Sequence, residues 1–110
     1  MLPAQARLRS RADFLAAGRG RRASSDSLVA ALSKTEAVGP TRVGLTVSTE
    51  VGSAVTRNRV RRRLRHLLRP RLDALPHGGL LVLRARPTAA RTGFAQLGVE
   101  LDEVLSRVTR

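Results

Sequence analysis

The chain contains no cysteine, which removes disulfide frameworks, thiol nucleophiles and cysteine-based zinc sites together. Tryptophan and tyrosine are also absent, and the only phenylalanines are Phe14 and Phe94. A basic helix lying in a membrane interface would therefore lack the aromatic anchors that such helices use. Isoleucine is missing too, so the core rests on 17 Leu, 11 Val and 2 Phe, 30 of 110 residues. That share lies above the roughly 20% below which a highly charged chain stays disordered. No apolar run approaches the ~18 residues of a membrane span. The first residues are rich in Arg with no continuous apolar stretch, unlike a secretory signal. They faintly resemble a transit peptide, a reading in which residues 1 to about 22 are disposable. The expected compartment is the cytoplasm, and the length fits one domain, residues 1–110.

Negative charge is scarce: 8 acidic residues face 21 basic ones, a formal net charge of +13. Twenty of the basic residues are Arg, against the single Lys34. Guanidinium is planar, always charged, and grips phosphate through paired hydrogen bonds or stacks on a base. So high a charge on a small domain repels itself unless a polyanion screens it, and nucleic acid fits better than anionic membrane.

The chain has no internal repeat. Ser10 with Asp13 makes a capping-box-like start to a short helix from Arg11 to Ala17, ended by Gly18 and Gly20. Residues 18–26 read as a loop. A short apolar strand follows from Leu28 to Leu32, then a turn from Glu36 to Thr41 around Gly39-Pro40. From Arg42 to Thr49, Val43, Leu45 and Val47 alternate with Gly44, Thr46 and Ser48, giving a strand with one apolar face. Its other face, small and hydroxylated, either is solvated or lets a second molecule lie against it.

Gly52-Ser53 opens a long helix with Ser53 as N-cap, its apolar stripe formed by Val60, Leu64, Leu67 and Leu68. Pro70 breaks or kinks it, and Leu72 and Leu75 extend it as a second short segment. Leu80 to Ala85 reads as another strand. A last helix from about Thr92 to Val108 places Phe94, Leu97, Leu101, Val104, Leu105 and Val108 on one face. The order α-β-β-α-β-α predicts an α+β domain with helices packed on one face of a small sheet.

The strongest local signal is in the long helix, where Arg57, Arg59, Arg61, Arg62, Arg63, Arg65 and Arg69 fall within thirteen positions. Asn58, Arg62, Arg65 and Arg69 cluster opposite the leucine stripe, at about 140° to 200° from Val60, with the other arginines beside them. Charge runs are usually solvated faces. Here like charges at i and i+4 destabilise the helix, and only Glu50 and Asp73 flank it. Phosphates that complete the face account for it better.

The block Arg42-Val43-Gly44-Leu45-Thr46-Val47-Ser48, then Gly52-Ser53-Ala54-Val55-Thr56-Arg57-Asn58-Arg59, resembles the signature region of the bacterial ribonuclease P protein family. Arg7-Leu8-Arg9 before Asp13-Phe14, and Leu80 to Pro87 ending in Arg84-Ala85-Arg86-Pro87, extend the resemblance over the whole chain. It implies an αβββαβα-like fold, a small mixed β-sheet packed with helices, as in the second domain of a ribosomal protein. It also implies a left-handed βαβ crossover, although right-handed crossovers hold in roughly 98% of such units.

The resemblance further implies a protein cofactor for a catalytic RNA, the pair removing the 5′ leader from precursor tRNA. The RNA subunit and its Mg2+ would perform the hydrolysis, with the protein a monomer in a 1:1 complex. Arg57, Asn58, Arg59, Arg61, Arg62, Arg63, Arg65 and Arg69 match the RNA-binding motif and its helix face. Arg11, Phe14, Arg42, Arg84 and Arg86 are assigned to the leader-binding cleft, where base stacking tolerates many leader sequences. Phe14 suits a core position anchoring the first helix almost as well, and the three strand arginines could instead be solvated strand ends, the cleft being favoured because nothing acidic is placed in sequence to pair with them. The chain departs from the family in two places. Thr49 and Glu50 stand where two lysines are common, and Leu15 to Arg22 lacks a second aromatic. With Phe94 in the last helix's apolar face, Phe14 is the one aromatic left for a base.

Nothing else in the sequence proposes catalysis by side chains. His66 and His77 lack metal-ligand spacing and read as solvated, and Glu100, Asp102 and Glu103 read as a solvated helix face. No Gly-rich phosphate loop carries a Lys. A ribosomal-type structural RNA-binding protein would share the basic helix and small core. A DNA-binding helix-turn-helix would need a helix, not a strand, before the basic one.

Overall fold

The structure is a computed structural model that describes residues 21–35 and 38–109. The helix expected from Arg11 to Ala17, with Arg11 and Phe14, lies outside the described residues. In chain order the elements are β1 (Arg21–Ser24), β2 (Leu28–Lys34), β3 (Arg42–Thr46), α1 (Ala54–Leu68), β4 (Gly79–Ala85) and α2 (Phe94–Val108). Short 3-10 turns at Thr49–Val51, Arg69–Ala74 and Pro87–Ala90 join them.

The strands form one mixed sheet in the order β1-β2-β4-β3. β2 pairs antiparallel with both β1 and β4, whereas β3 and β4 are parallel neighbours, so α1 is the crossover between them. Period-two alternation decides what each strand buries. Leu28, Ala30 and Leu32 of β2, Val43 of β3, and Leu81, Leu83 and Ala85 of β4 enter the core, with Leu45 packed at its edge. They meet Val60, Leu64, Leu67 and Leu68 of α1 and Leu97, Leu101, Val104, Leu105 and Val108 of α2. Both helices therefore cover the same face of the sheet.

Two expectations change. Residues 21–24 form a strand where the sequence reads as loop. Arg21-Arg22-Ala23-Ser24 carries no apolar alternation, and it is held as an edge strand by pairing with β2 from Arg21↔Leu32 to Ser24↔Val29. Charged residues are the common way to protect such an edge. The strand expected to reach Thr49 ends at Thr46, and Thr49–Val51 turns into a 3-10 segment whose Val51 is buried. Pro70 ends the helix as expected, and the short segment that follows is a 3-10 turn from Arg69 to Ala74, with Leu72 half-buried and Leu75 buried just beyond it.

Two hydrogen-bond clusters fix the loops that carry the sheet face. The Thr41 hydroxyl accepts from the Gly79 amide at 3.1 Å and donates to the Pro76 carbonyl, locking the entry of β4 to that of β3. At the opposite end, the Ser27 amide donates to Glu100 Oε1 at 2.8 Å and its hydroxyl to Oε2 at 3.2 Å. Glu100 is only 5% exposed, so it is not part of a solvated face. Its place on the wheel is beside the apolar stripe, and the β1–β2 turn supplies the donors that let a carboxylate be buried there. Asp102 and Glu103 are engaged as well, with Arg71 at 2.6 Å and Arg107 at 2.8 Å.

Candidate nucleic-acid interface

The basic helix is anchored before its arginines begin. The Ser53 hydroxyl caps it by accepting from the Thr56 amide at 3.3 Å. Gly52, at φ +148°, makes the preceding turn in a region that disfavours side chains. Val60, Leu64, Leu67 and Leu68 are all buried, as the stripe predicts. Each contributes about 1.5–3 kcal/mol of burial, enough to hold a helix whose like charges repel by a few tenths of a kcal/mol per pair.

The guanidinium groups on that helix divide into two sets. Arg62, Arg65 and Arg69 are exposed and have no hydrogen-bond or ion-pair partner among the described residues. The other members are tied down or partly enclosed. Arg61 donates to Asn58 Oδ1 at 3.0 Å and to the Val47 carbonyl at 3.3 Å, clasping the helix to the chain leaving β3. Arg59 reaches the Ala90 carbonyl at 3.5 Å. Arg57 and Arg63 are half-buried, and Arg57 Nε is buried with no hydrogen-bond partner. Just past the helix, Arg71 is structural: it bonds Asp102 through two nitrogens, at 2.6 and 3.1 Å, and the Leu67 carbonyl at 2.6 Å.

The sheet face turned away from the helices carries the second cluster. Strand register puts Arg22 beside Ala31, Val29 beside Arg84, and Arg42 and Thr46 on the same side of β3. Arg22, Ala23, Ser24, Val29, Ala31, Val82, Arg84 and Arg86 line a groove of about 460 Å3. Arg84 is exposed, and Arg86 is positioned by its hydrogen bond to the Ser25 carbonyl at 3.1 Å. Arg84 and Arg86 thus meet in one groove, as expected from their alternation. Arg22 joins them unpredicted, because its strand has no periodic signal of its own.

Phe94 is the larger correction. It is 42% exposed, not part of the core face. Its wheel angle lies within the apolar stripe, but the first turn of α2 runs beside α1 and not over the sheet. The ring sits 5.8 Å from His66, tilted by 54°. Below it Gly98 allows a close helix approach, since a Cβ there would lie 3.3 Å from Leu67 Cδ2 and 3.5 Å from Arg71. Phe94, Gly98 and Asp102, four residues apart, thus meet His66, Leu67 and Arg71 in turn.

The perturbed groups are structural. Burial pushes the Glu100 carboxyl up, but hydrogen bonds from Ser25, Ser27 and Gln96 together bring it below its ordinary value. The Arg71 hydrogen bond holds Asp102 below the usual carboxylate range, and Arg71 is raised in return. Among the described residues, no three His, Asp or Glu side chains gather where they could hold a metal ion. No described helix is long and apolar enough to cross a membrane.

A small α+β domain with three exposed arginines on one helix that have no partner among the described residues, and a second arginine-lined groove on its sheet, defines a protein built to bind a nucleic acid. The chain matches the Ribonuclease P family over residues 2–109. It is 48% identical to the ribonuclease P protein component of Thermobifida fusca, across 100% of this chain and 80% of that one. The Streptomyces avermitilis protein component is also 48% identical, covering 98% of this chain and 95% of the relative. Among solved structures, the RNase P protein from Thermotoga maritima superposes with a TM-score of 0.80 at 27% identity, covering 93% of this chain and 96% of that chain. The chain belongs to the ribonuclease P protein family, the protein subunits of the endoribonuclease that processes tRNA 5′ ends. It therefore works with an RNA component.

Proposed function

We propose that the chain acts in the cytoplasm as a single domain, residues 1–110, that binds one ribonuclease P RNA through α1 and the 5′ leader of precursor tRNA across the open sheet face. Arg62, Arg65 and Arg69 contact phosphates of the RNA subunit. Arg57, Asn58, Arg59, Arg61 and Arg63 complete the interface, Arg61 and Asn58 by holding the start of the helix in place. Arg42, Arg84 and Arg86 track the leader backbone, with Arg11 and Phe14 contributing from the first residues of the chain. The RNA partner and the Mg2+ it binds perform the hydrolysis, so no protein side chain is catalytic. The protein's share is to hold the leader in register and to screen repulsion between the two RNAs.

The observation that carries this reading is the trio of exposed guanidinium groups, without partners among the described residues, on a helix whose other side is sealed in the core. Self-repulsion makes that face costly alone, and phosphates complete it. The test is cleavage of labelled precursor tRNA by the RNA subunit at low Mg2+ and moderate salt, with and without the chain. The intact leader should be released faster with the chain present, and not at all by the chain alone. RNA binding without any stimulation would overturn the reading in favour of a purely structural RNA-binding role.

A further inference from the structure

Phe94 is the only Phe, Tyr or Trp among the described residues, and it stands outside the core at 42% exposure. It borders a groove of about 680 Å3, within the roughly 300–1,000 Å3 of small-ligand sites. Leu67, Pro70 and the Phe94 ring make its apolar part, while Arg62, Arg65 and Arg69 bring three cations to the same groove. His66 supports the ring from one side at 5.8 Å. Arg71, also lining the groove, is already neutralised by Asp102. A π-face beside cations that pair with no anion among the described residues is complementary to a nucleotide: the base stacks on the ring and the flanking phosphates take the guanidinium groups.

We infer that Phe94 is a stacking site for an unpaired base of the RNA subunit, reached where the phosphate-binding face of α1 meets the first turn of α2. The inference rests on the RNA-binding reading above and adds to it a contact that reads an extruded base, distinct from the leader groove on the sheet. The RNA subunit is the source because the groove shares Arg62, Arg65 and Arg69 with the face assigned to that RNA. A base held in a duplex cannot lie on the ring, so the site selects a bulge or loop nucleotide.

The test uses the full chain with Phe94→Leu and Phe94→Trp. One aromatic–base stack corresponds to roughly a 5- to 150-fold change in affinity. Phe94→Leu should therefore weaken binding to the RNA subunit by about that factor, with an unchanged salt slope because no phosphate contact is lost. Phe94→Trp should restore the affinity. As the chain has no tryptophan, emission from that variant reports the site alone and should be quenched when the RNA subunit is added. Phe94→Leu binding within about twofold of the parent, or emission unmoved by saturating RNA subunit, would overturn the inference. Quenching only after precursor tRNA joins the assembled complex would also overturn it, since the base would then belong to the substrate. If Phe94→Leu proves unstable, the Phe94→Trp emission decides the matter by itself. A parent chain that does not bind the RNA subunit at all would instead remove the proposed function, and this arm is read first.

Discussion

Replacing Arg62, Arg65 and Arg69 together with Ala should uncouple RNA binding from folding, with the two moving in opposite directions. The three side chains are exposed and have no partners among the described residues, so their loss removes no contact within the fold. Spaced at i, i+3 and i+7, they form two like-charge pairs along α1, each destabilising by about 0.2–0.5 kcal/mol. The triple variant should accordingly be as stable as the parent or more so by up to about 1 kcal/mol, read as the urea midpoint at an unchanged m-value. Its RNA binding should suffer. Each lost phosphate contact flattens the plot of log affinity against log salt by about 0.7–0.9, so three contacts remove roughly 2 to 2.7 units. Between 50 and 200 mM salt this makes the parent's affinity fall roughly 15- to 40-fold further than that of the variant. Arg61→Ala is the control on the same helix. Its guanidinium serves Asn58 and the Val47 carbonyl, so that variant should lose about 1 kcal/mol of stability while its salt slope moves by less than about half a unit. An unchanged slope in the triple variant, or an equal flattening by Arg61→Ala, would refute this division of labour.

Three further outcomes are expected. Glu100→Gln puts an amide where a buried carboxylate accepts from Ser27, which should cost about 1–3 kcal/mol in denaturant melts. The folded carboxyl lies below its ordinary value, and the unfolded one titrates near about 4.3. The parent thus keeps this stabilisation above that pH and loses it as pH falls through the lowered folded value. Melts between about pH 6 and pH 3 should show a shallower acid loss in Glu100→Gln, and identical slopes would count against the assignment. Asp102→Asn breaks the pair with Arg71, but the aspartate side chain is 63% exposed. A double-mutant cycle with Arg71 should return only about 0.5–1 kcal/mol, smaller still at high salt. Gly79→Ala would set a Cβ 2.6 Å from Thr41 Oγ1 and 3.0 Å from Leu32 Cδ1. That pushes aside the hydroxyl joining the two parallel strands, and a loss of about 2–3 kcal/mol should appear as a lower Tm.

What was legible in the sequence is what local spacing controls. The Ser53 cap, the Val60–Leu68 stripe and the break at Pro70 depend on neighbours within a few residues, and each stands where the periodicity puts it. The alternation of Val43, Leu45 and Val47 likewise selects the buried face of β3 before any partner strand is known. The arginine block was legible for the same reason, since its uneven placement around the helix follows from a fixed angle per residue.

Contacts distant in the chain decided the rest. Arg21–Ser24 becomes a strand only because β2 offers a free edge, and the family resemblance, not the periodicity, carried that third strand. Glu100 can be buried only because Ser27, 73 positions away, brings an amide and a hydroxyl to it. The seven arginines of the block look alike in one dimension. Only packing shows that Arg61 is held by Asn58 and Val47 while Arg62, Arg65 and Arg69 have no partner among the described residues. Phe94 is the sharpest case: a helical wheel gives a direction around the axis, but not which neighbour lies at that height along it. The tertiary structure sets the first turn of α2 beside His66, and so turns a residue patterned for the core into an exposed ring among cations.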